Sequence, residues 1–154
     1  SASPFDASVL LILRHAEARK RRTWRGDDLE RPLTAAGRVA AARLAPILDA
    51  YGITRVVTSD ALRCVDTVMP FVDGCDVKLK MVHGLSEQGV TKRSVAAVAA
   101  AALESDKRML ICTHRPVLPR LFAALGIGDV TRDTAQMLVV HRAGGRIAAI
   151  EKPE

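Results

Sequence analysis

Short apolar runs along the chain alternate with longer amphipathic stretches. Val9–Leu13 is continuously apolar and of strand length, a pattern typical of a strand buried on both faces of a parallel sheet. Lysine alternates with apolar residues at 77–82, which predicts an edge strand with one face in water. Two further strand patterns lie at 55–58 and 107–112. The sequence therefore predicts four strands before the last quarter of the chain.

The first helix is predicted between Thr34 and about Tyr51. Thr34 can cap the free amides of a first turn, and Gly52 is a natural stop. Pro46 should kink the helix, because proline lacks the amide donor and crowds the preceding turn. The apolar positions expected to face the core are Val39, Leu44, Ile47 and Leu48.

Three further helices and a hairpin complete the pattern. The helices are expected at 60–72 with Pro70 shortening or bending it, at 92–104, and from Pro116 to Leu125 with Gly126 after it. Residues 136–141 and 146–151, joined by Gly144-Gly145, predict a terminal β-hairpin. Because strands and helices alternate, we expect an α/β fold: an open, mostly parallel sheet with helices on both faces.

The composition fits one globular domain. The chain has 154 residues, of which 49% are hydrophobic and 26% charged, a balance that excludes a disordered or membrane protein. No apolar run approaches the roughly 20 residues of a membrane helix. We expect one domain over 9–154 that follows a linker at 1–8. Since the start of the chain lacks the features of a signal peptide, the predicted location is cytoplasmic.

Cysteine usage and charge narrow the class further. Cys64, Cys75 and Cys112 are odd in number and widely spaced, so they build neither a complete disulfide framework nor a paired metal clamp. Free thiols in a reducing compartment are expected. Lysine and arginine number 23 against 17 acidic residues, giving a net charge of +6. This excess favours anionic partners such as nucleic acid, nucleotide or phosphate.

Charged and titratable groups follow the predicted strands. They are Arg14 and His15 after the first strand, Ser59 and Arg63 after the second, Glu87 after the third and His114 after the fourth. In open α/β sheets, ligands bind beyond the carboxyl ends of the strands, so these groups should converge. Guanidinium forks match the paired oxygens of phosphate, and a histidine nitrogen can accept a phosphoryl group. The sequence therefore predicts a phosphate site.

Four segments at these positions resemble motifs of the histidine phosphatase, or phosphoglycerate mutase-like, superfamily. LRHAE at 13–17 resembles its RHG signature, with Ala16 in place of the usual glycine. RPLTAAG at 31–37 is similar to the start of the first helix in the small SixA-like members. TSDALRCVDT at 58–67 and CTHRP at 112–116 resemble the second-arginine and second-histidine motifs. The resemblance implies the histidine phosphatase fold and phosphatase activity.

A closer resemblance is to the C-terminal phosphatase-like half of actinobacterial Nudix (MutT-type) fusion hydrolases. It is carried by RTWRGD at 22–27, THRPVLP at 113–119 and LVVHR at 138–142. This resemblance implies an N-terminal Nudix domain in the full-length chain. It also implies a nucleotide substrate, of the oxidised guanine or diadenosine polyphosphate type.

The resemblance implies a role for each residue of the predicted site. We expect His15 to attack phosphorus while the equatorial oxygens are held by Arg14, Arg63 and His114. Leu85-Ser86-Glu87 resembles the acid motif of the family, so Glu87 should protonate the leaving oxygen, with a raised pKa; Glu17 and Asp60 compete for this role. No metal or other cofactor is expected, because the arginines supply the positive charge and no ligand spacing for zinc or magnesium is present.

A basic run follows the predicted nucleophile: Arg19, Lys20, Arg21, Arg22 and Arg25. Such a run is either a solvated loop or a clamp for additional phosphates at the mouth of the site. In the second interpretation the substrate is bound by Lys20, Arg21, Arg22, Arg25 and Ser59. Trp24 either stacks on a base or packs against the fold, and His83 and His141 match no catalytic motif.

Three alternatives remain open on the sequence. One is a SixA-like phosphatase that acts on phosphohistidine in a protein. Another is a weakly active module that binds nucleotide or docks to a Nudix domain. The third, specific nucleic-acid binding, is not expected, because one Trp, one Tyr and three Phe are too few for a stacking platform. The expected partner is a phosphorylated small molecule, and a nucleotide above all. No association with a membrane is expected.

Overall fold

The computed structural model describes residues 8–128 and 137–152. Its strands are β1 (Ser8–Arg14), β2 (Arg55–Ser59), β3 (Lys78–Val82), β4 (Met109–Thr113), β5 (Met137–Ala143) and β6 (Arg146–Glu151). They form one sheet in the order β3-β2-β4-β1-β5-β6. The first four strands in this order pair in parallel, whereas β5 and β6 are antiparallel. The predicted open, mostly parallel sheet with a terminal hairpin is confirmed; its start at Gln136 lies outside the described residues.

Helices cover both faces of the sheet, as predicted. They are α1 (Ala35–Ala50), α2 (Leu62–Gly74), α3 (Lys92–Glu104) and α4 (Leu118–Leu125). The alternation of side chains along β1 divides the core in two. Leu10 and Ile12 pack with residues of α3 and α4, whereas Leu11 and Leu13 pack with residues of α1 and α2. Both faces of β1 are therefore buried under helices, which explains its uninterrupted apolar sequence.

The predicted start and end of α1 are confirmed. Thr34 accepts a hydrogen bond from the Gly37 amide at 3.0 Å, and Gly52 has a φ of 69° just after the helix. The prediction of the buried face was wrong in part: Val39 and Ile47 are 51% and 43% exposed, and the buried residues are Gly37, Ala41 and Leu48. A Cβ atom on Gly37 would lie 2.1 Å from the Glu17 carbonyl oxygen, so α1 can pack against the backbone at Glu17 only because glycine has no side chain at this position.

The start of α4 was also predicted wrongly. Pro116 lies in a turn at 115–117, where Val117 and Leu118 donate to the His114 carbonyl, and Pro119 occupies the first helical turn. Gly126, with a φ of 77°, closes the helix as predicted. Pro70 lies inside α2, which extends four residues beyond it to Gly74.

The edges of the sheet agree with the sequence. β3 is an edge strand with Lys78, Lys80 and Met81 exposed. The hairpin turn Gly144-Gly145 has positive φ at both positions, as a two-residue turn of type I′ requires. Cys64, Cys75 and Cys112 are free thiols. No helix within the described ranges is long and apolar enough to cross a membrane.

Arg142 is a buried arginine at the end of the sheet where β1 and β4 begin, and it is 3% exposed. Its guanidinium donates to the carbonyl oxygens of Ala102 at 2.6 Å and Ser105 at 3.0 Å, which belong to the end of α3. It also donates to the carbonyls of Val9, at 2.8 Å, and Lys107. Arg142 therefore joins the end of α3 to the beginning of β1 and to the segment that precedes β4.

Candidate active site

A cavity of about 550 Å³ opens at the carboxyl ends of β1 and β4. The register pairs Arg14 with Thr113, and the His15 amide donates to the Thr113 carbonyl at 3.1 Å. His15 and His114 are consequently neighbours on adjacent strand ends. The predicted site residues that line the cavity are Arg14, His15, Lys20, Arg21, Glu87 and His114, and two arginines that the sequence did not single out, Arg31 and Arg115, line it as well.

His15 is held as a neutral imidazole. Its Nδ1 lies 2.7 Å from the Ala16 carbonyl oxygen, which can only accept, so Nδ1 carries the proton and Nε2 keeps its lone pair. Burial, the largest cause, lowers the pKa of His15 to about 4; the hydrogen bond to Ala16 opposes this shift, and nearby arginine charges add to it. The ring meets that of His114 edge to face, with centroids 5.2 Å apart.

Ala16, where the family has glycine, fits without backbone strain. Its amide donates to the Thr67 hydroxyl at 2.9 Å, and its carbonyl is the oxygen that orients His15. No residue other than glycine has a positive φ in the part of the chain that the structure describes. Both polar groups of this backbone position are therefore used, and the alanine methyl group requires no left-handed conformation.

His114 is fully buried in the wall of the cavity. Its Nε2 lies 2.8 Å from the Ser59 hydroxyl and 3.4 Å from the Cys64 sulfur. Its Nδ1 lies 3.6 Å from a carboxylate oxygen of Glu87. Ser59, which we predicted to bind substrate, is buried and does not line the cavity. In the structure Ser59 contacts His114 and fixes the orientation of its ring.

Arg63 is fully buried and does not line the cavity. Its guanidinium donates to the Asp28 carbonyl at 2.7 Å, the Asp28 carboxylate at 3.1 Å and the Glu87 carboxylate at 2.8 Å. Its Nε is buried with no hydrogen-bond partner among the described residues. Arg63 still contributes positive charge at the site, because it helps to lower the pKa of His15.

Asp28 is a further residue of the site network that the sequence did not single out. Besides Arg63, its carboxylate accepts hydrogen bonds from Arg31 at 2.9 Å, Gln88 at 2.9 Å and Arg21 at 3.3 Å. Burial would raise the pKa of Asp28, but these hydrogen bonds and the arginine charges hold it far below its usual value. The three-residue spacing between Asp28 and Arg31 was the available signal, since it places both side chains on one side of a single turn.

Glu87 is held in its ionised form. Burial alone would raise its pKa, but the hydrogen bond from Arg63 and the charges of His114, Arg21 and Arg63 bring it below the usual value. The expected raised pKa is therefore wrong for the ligand-free site. Of the competing acids, Glu17 accepts a hydrogen bond from the Thr34 hydroxyl at 2.9 Å, and Asp60 pairs with His83 at 2.9 Å. Glu87 is the acid that lies against His114.

The basic run divides into residues at the cavity and residues away from it. Lys20 and Arg21 line the cavity, whereas Arg22 and Arg25 are exposed and do not. Trp24 does not line it either: the Arg19 guanidinium lies 5.6 Å from its ring, and its indole N–H donates to the Asp27 carbonyl at 2.9 Å. The structure therefore uses Trp24 to organise its own loop.

The cations around the cavity fall into two groups. Arg21, Arg31 and Arg63 are paired with Asp28 or Glu87. By contrast, the side chains of Arg14, Lys20 and Arg115 have no hydrogen-bond or ion-pair partner anywhere in 8–128 or 137–152, so their charge is free for an anionic ligand. The same ranges contain no group of three or more His, Cys, Asp or Glu residues placed to hold a metal ion.

Comparison with known proteins identifies the family of the chain. The model of the histidine phosphatase superfamily (branch 1) matches residues 10–90, more than half of the chain. The 8-oxo-(d)GTP phosphatase of Mycolicibacterium smegmatis is 34% identical over 128 residues, which cover 77% of this chain but only 37% of that protein.

Solved structures show the same fold. A Bacillus stearothermophilus protein, YhfR, superposes with a TM-score of 0.75 at 18% identity, covering 96% of this chain and 98% of its own. The protein histidine phosphatase SixA in complex with tungstate gives 0.72 at 22% identity, covering 94% and 97%. The family match extends over the RHG-like and second-arginine motifs and the segment that carries Glu87. The chain therefore belongs to branch 1 of the histidine phosphatase superfamily.

Proposed function

We propose that the protein hydrolyses phosphorylated small molecules through a phosphohistidine on His15, with nucleotides as substrates. The observation that carries this proposal is the state of His15. Its Nδ1–H is fixed on the Ala16 carbonyl, its pKa is about 4, and its Nε2 lone pair lies in a cavity with unpaired cations. A neutral histidine with a free nitrogen beside an anion site is the arrangement that nucleophilic attack on phosphorus requires.

The first step transfers the phosphoryl group. Nε2 of His15 forms a bond to phosphorus while the bond from phosphorus to the leaving oxygen breaks, and the leaving group takes the electron pair. Arg14 and His114 line the cavity and bind the phosphoryl oxygens, which gain stabilisation as charge builds in the transition state. In the second step water attacks the phosphohistidine, Nε2 recovers its lone pair and phosphate is released.

Arg63 and Glu87 act together in this proposal. A phosphate that reaches Arg63 competes with the carboxylates of Asp28 and Glu87 for its guanidinium. Loss of that hydrogen bond, and the added negative charge of the phosphate, both raise the pKa of Glu87. Glu87 then becomes able to give a proton to the leaving oxygen, and after the leaving group departs its carboxylate serves as the base for water.

The substrate class is proposed from the relative and the charge of the cavity. The mycobacterial relative is an 8-oxo-(d)GTP phosphatase, and the chain spans 37% of its length. We therefore propose an oxidised guanine nucleotide or a diadenosine polyphosphate as substrate, and a Nudix domain as the N-terminal partner in the full-length protein. The arginines and Lys20 supply the positive charge, and the proposed mechanism needs no metal.

Phosphate release tests the proposal. Wild type, His15→Ala and a control, His141→Gln on β5 away from the cavity, are compared in EDTA on nucleoside di- and triphosphates, their 8-oxo-guanine forms, p-nitrophenyl phosphate and a phosphohistidine peptide. We expect release by wild type and the control, none by His15→Ala, and an acid-labile, alkali-stable phosphoryl label on His15. Binding without release would favour the docking module, and preference for the peptide would favour the SixA-like alternative.

A further inference from the structure

Arg115 is an exposed arginine at the cavity to which neither the predicted catalytic set nor the basic run assigns a role. It directly follows His114 and begins the turn before α4, so the end of β4 positions it. It lines the cavity that contains His15. No hydrogen bond or ion pair holds its guanidinium in the described portion of the chain, although Glu17 and Glu87 line the same cavity.

Lys20 lines the same cavity from a different part of the chain. It belongs to the loop that follows β1, and its ammonium group also has no partner among the described residues. The arginines deeper in the network differ, because Arg31 is 8% exposed, Arg63 is fully buried, and both are bound to Asp28. Two exposed, unpaired cations therefore line one cavity, and they follow the ends of two adjacent strands.

This arrangement provides more positive charge than one phosphoryl group needs. In the proposed function, Arg14, His114 and the Nε2 of His15 bind the reacting phosphoryl group. Arg115 and Lys20 add two charges that this role does not use, and the cavity volume of about 550 Å³ is typical of a site for a whole small molecule. Paired oxygens of a phosphate fit the fork of Arg115, whereas Lys20 supplies a point charge.

We propose that Arg115 and Lys20 form an outer phosphate subsite, which binds the second phosphate of a phosphoanhydride while the terminal phosphoryl group reacts with His15. The proposal rests on the proposed function of His15. As the bond from Nε2 to phosphorus forms, the bond to the bridging oxygen breaks, and the electron pair stays on the departing phosphate. Arg115 and Lys20 stabilise the charge that develops there. The phosphohistidine is then hydrolysed by water as before.

The state of Glu87 agrees with such a leaving group. Arg63 and Arg21 hold the carboxylate of Glu87, and its pKa is below the usual value. An alcohol leaving group needs a proton from an acid, but a departing phosphate is stable as an anion. With two cations at the outer position, cleavage of a phosphoanhydride therefore depends less on a proton from Glu87 than cleavage of an ester does.

The experiment compares two substrates in four variants, of which Arg115→Lys is the conservative one. Arg115→Gln, Lys20→Gln and the control Arg120→Gln, an exposed arginine of α4 away from the cavity, are assayed on a nucleoside diphosphate and on p-nitrophenyl phosphate. We expect Arg115→Gln to lower kcat/KM about tenfold for the diphosphate and less than about twofold for p-nitrophenyl phosphate. Lys20→Gln should follow the same pattern more weakly, Arg115→Lys should restore part of the loss, and Arg120→Gln should change neither substrate.

Equal losses on both substrates, or no loss on either, would overturn the outer subsite. A binding measurement separates this result from failure of the His15 mechanism. Imidodiphosphate and orthophosphate are titrated into wild type and Arg115→Gln by calorimetry, with no turnover required. The subsite predicts that the variant loses affinity for imidodiphosphate alone. If wild type binds imidodiphosphate no better than orthophosphate, the subsite is wrong even where His15 is catalytic.

Discussion

His15 is a neutral imidazole at neutral pH, and this protonation state determines its chemistry. Because its pKa is lowered to about 4, the ring is neutral above that pH and becomes a cation below it. An ordinary histidine makes this change at about pH 6.5. We predict that nitrogen NMR of the ligand-free protein, with the His15 signal identified by its loss in His15→Ala, gives a midpoint close to 4. A midpoint near 6.5 would contradict the burial of this ring.

Single residues were predictable where a motif defines them and not where their role depends on pairing. His15, His114 and Glu87 follow from the motifs and their placement after strands, and the structure brings all three together. Arg63 lies in a motif as well, yet it does not line the cavity, and its guanidinium is bound to the carboxylates of Asp28 and Glu87. Which of several arginines pairs with Asp28 depends on three-dimensional distances that spacing along the chain does not contain.

The segment between β1 and α1 is held over the site by Asp28. Since the pKa of Asp28 is lowered in the folded protein, its ion pairs stabilise the protein above the ordinary aspartate pKa and are lost as pH falls through the lowered value. We predict that Asp28→Asn lowers the free energy of unfolding by about 2 kcal/mol at neutral pH and also lowers kcat/KM.

Denaturant unfolding at several pH values tests this element, with Asp27→Asn as the control. Asp27 caps the Leu29 amide at 3.0 Å, and an asparagine oxygen can accept the same hydrogen bond. The control should therefore be close to wild type. The difference between Asp28→Asn and wild type should shrink below about pH 4. A loss that stays constant down to pH 2 would show that charge at Asp28 does not stabilise the segment.

Helices and strands were predictable to the extent that local chemistry determines them. α3 begins and ends where its alanine-rich sequence predicts, and Thr34 caps α1 as expected. The buried face of α1 was not predictable from hydrophobicity, because contact with the Glu17 backbone selects Gly37 and leaves Val39 exposed. The start of α4 was missed because two prolines are close together and only Pro119 lies in a helical turn.

The whole molecule is anchored at the end of the sheet opposite the site. Arg142 donates to the carbonyls of Ala102 in α3, Val9 in β1 and Lys107, which lies two residues before β4, and its loss would remove all three of these hydrogen bonds. We predict that Arg142→Met lowers the free energy of unfolding by about 3 kcal/mol or more, with kcat/KM of the folded protein unchanged. Thermal unfolding measures the loss of stability, and assays well below the melting temperature measure kcat/KM. Arg146→Met on the exposed strand β6 is the control.

The architecture as a whole was predictable because alternation of strands and helices leaves few arrangements. The role of Arg142 was not, since it is one arginine of a strand pattern and nothing in the sequence indicates that it is buried. If Arg142→Met had the same free energy of unfolding as Arg146→Met, Arg142 would not anchor the sheet.

The separation of the two ends has a consequence for how such proteins diversify. Residues that line the cavity, including those that we propose to bind substrate, lie in the loops after β1 and β4, whereas Arg142 joins the beginning of β1 to the segment that precedes β4. Mutations that exchange Lys20 or Arg115 leave that anchor intact. Substitutions in these loops can therefore change the substrate of related proteins. The folding stability stays above the level that function requires.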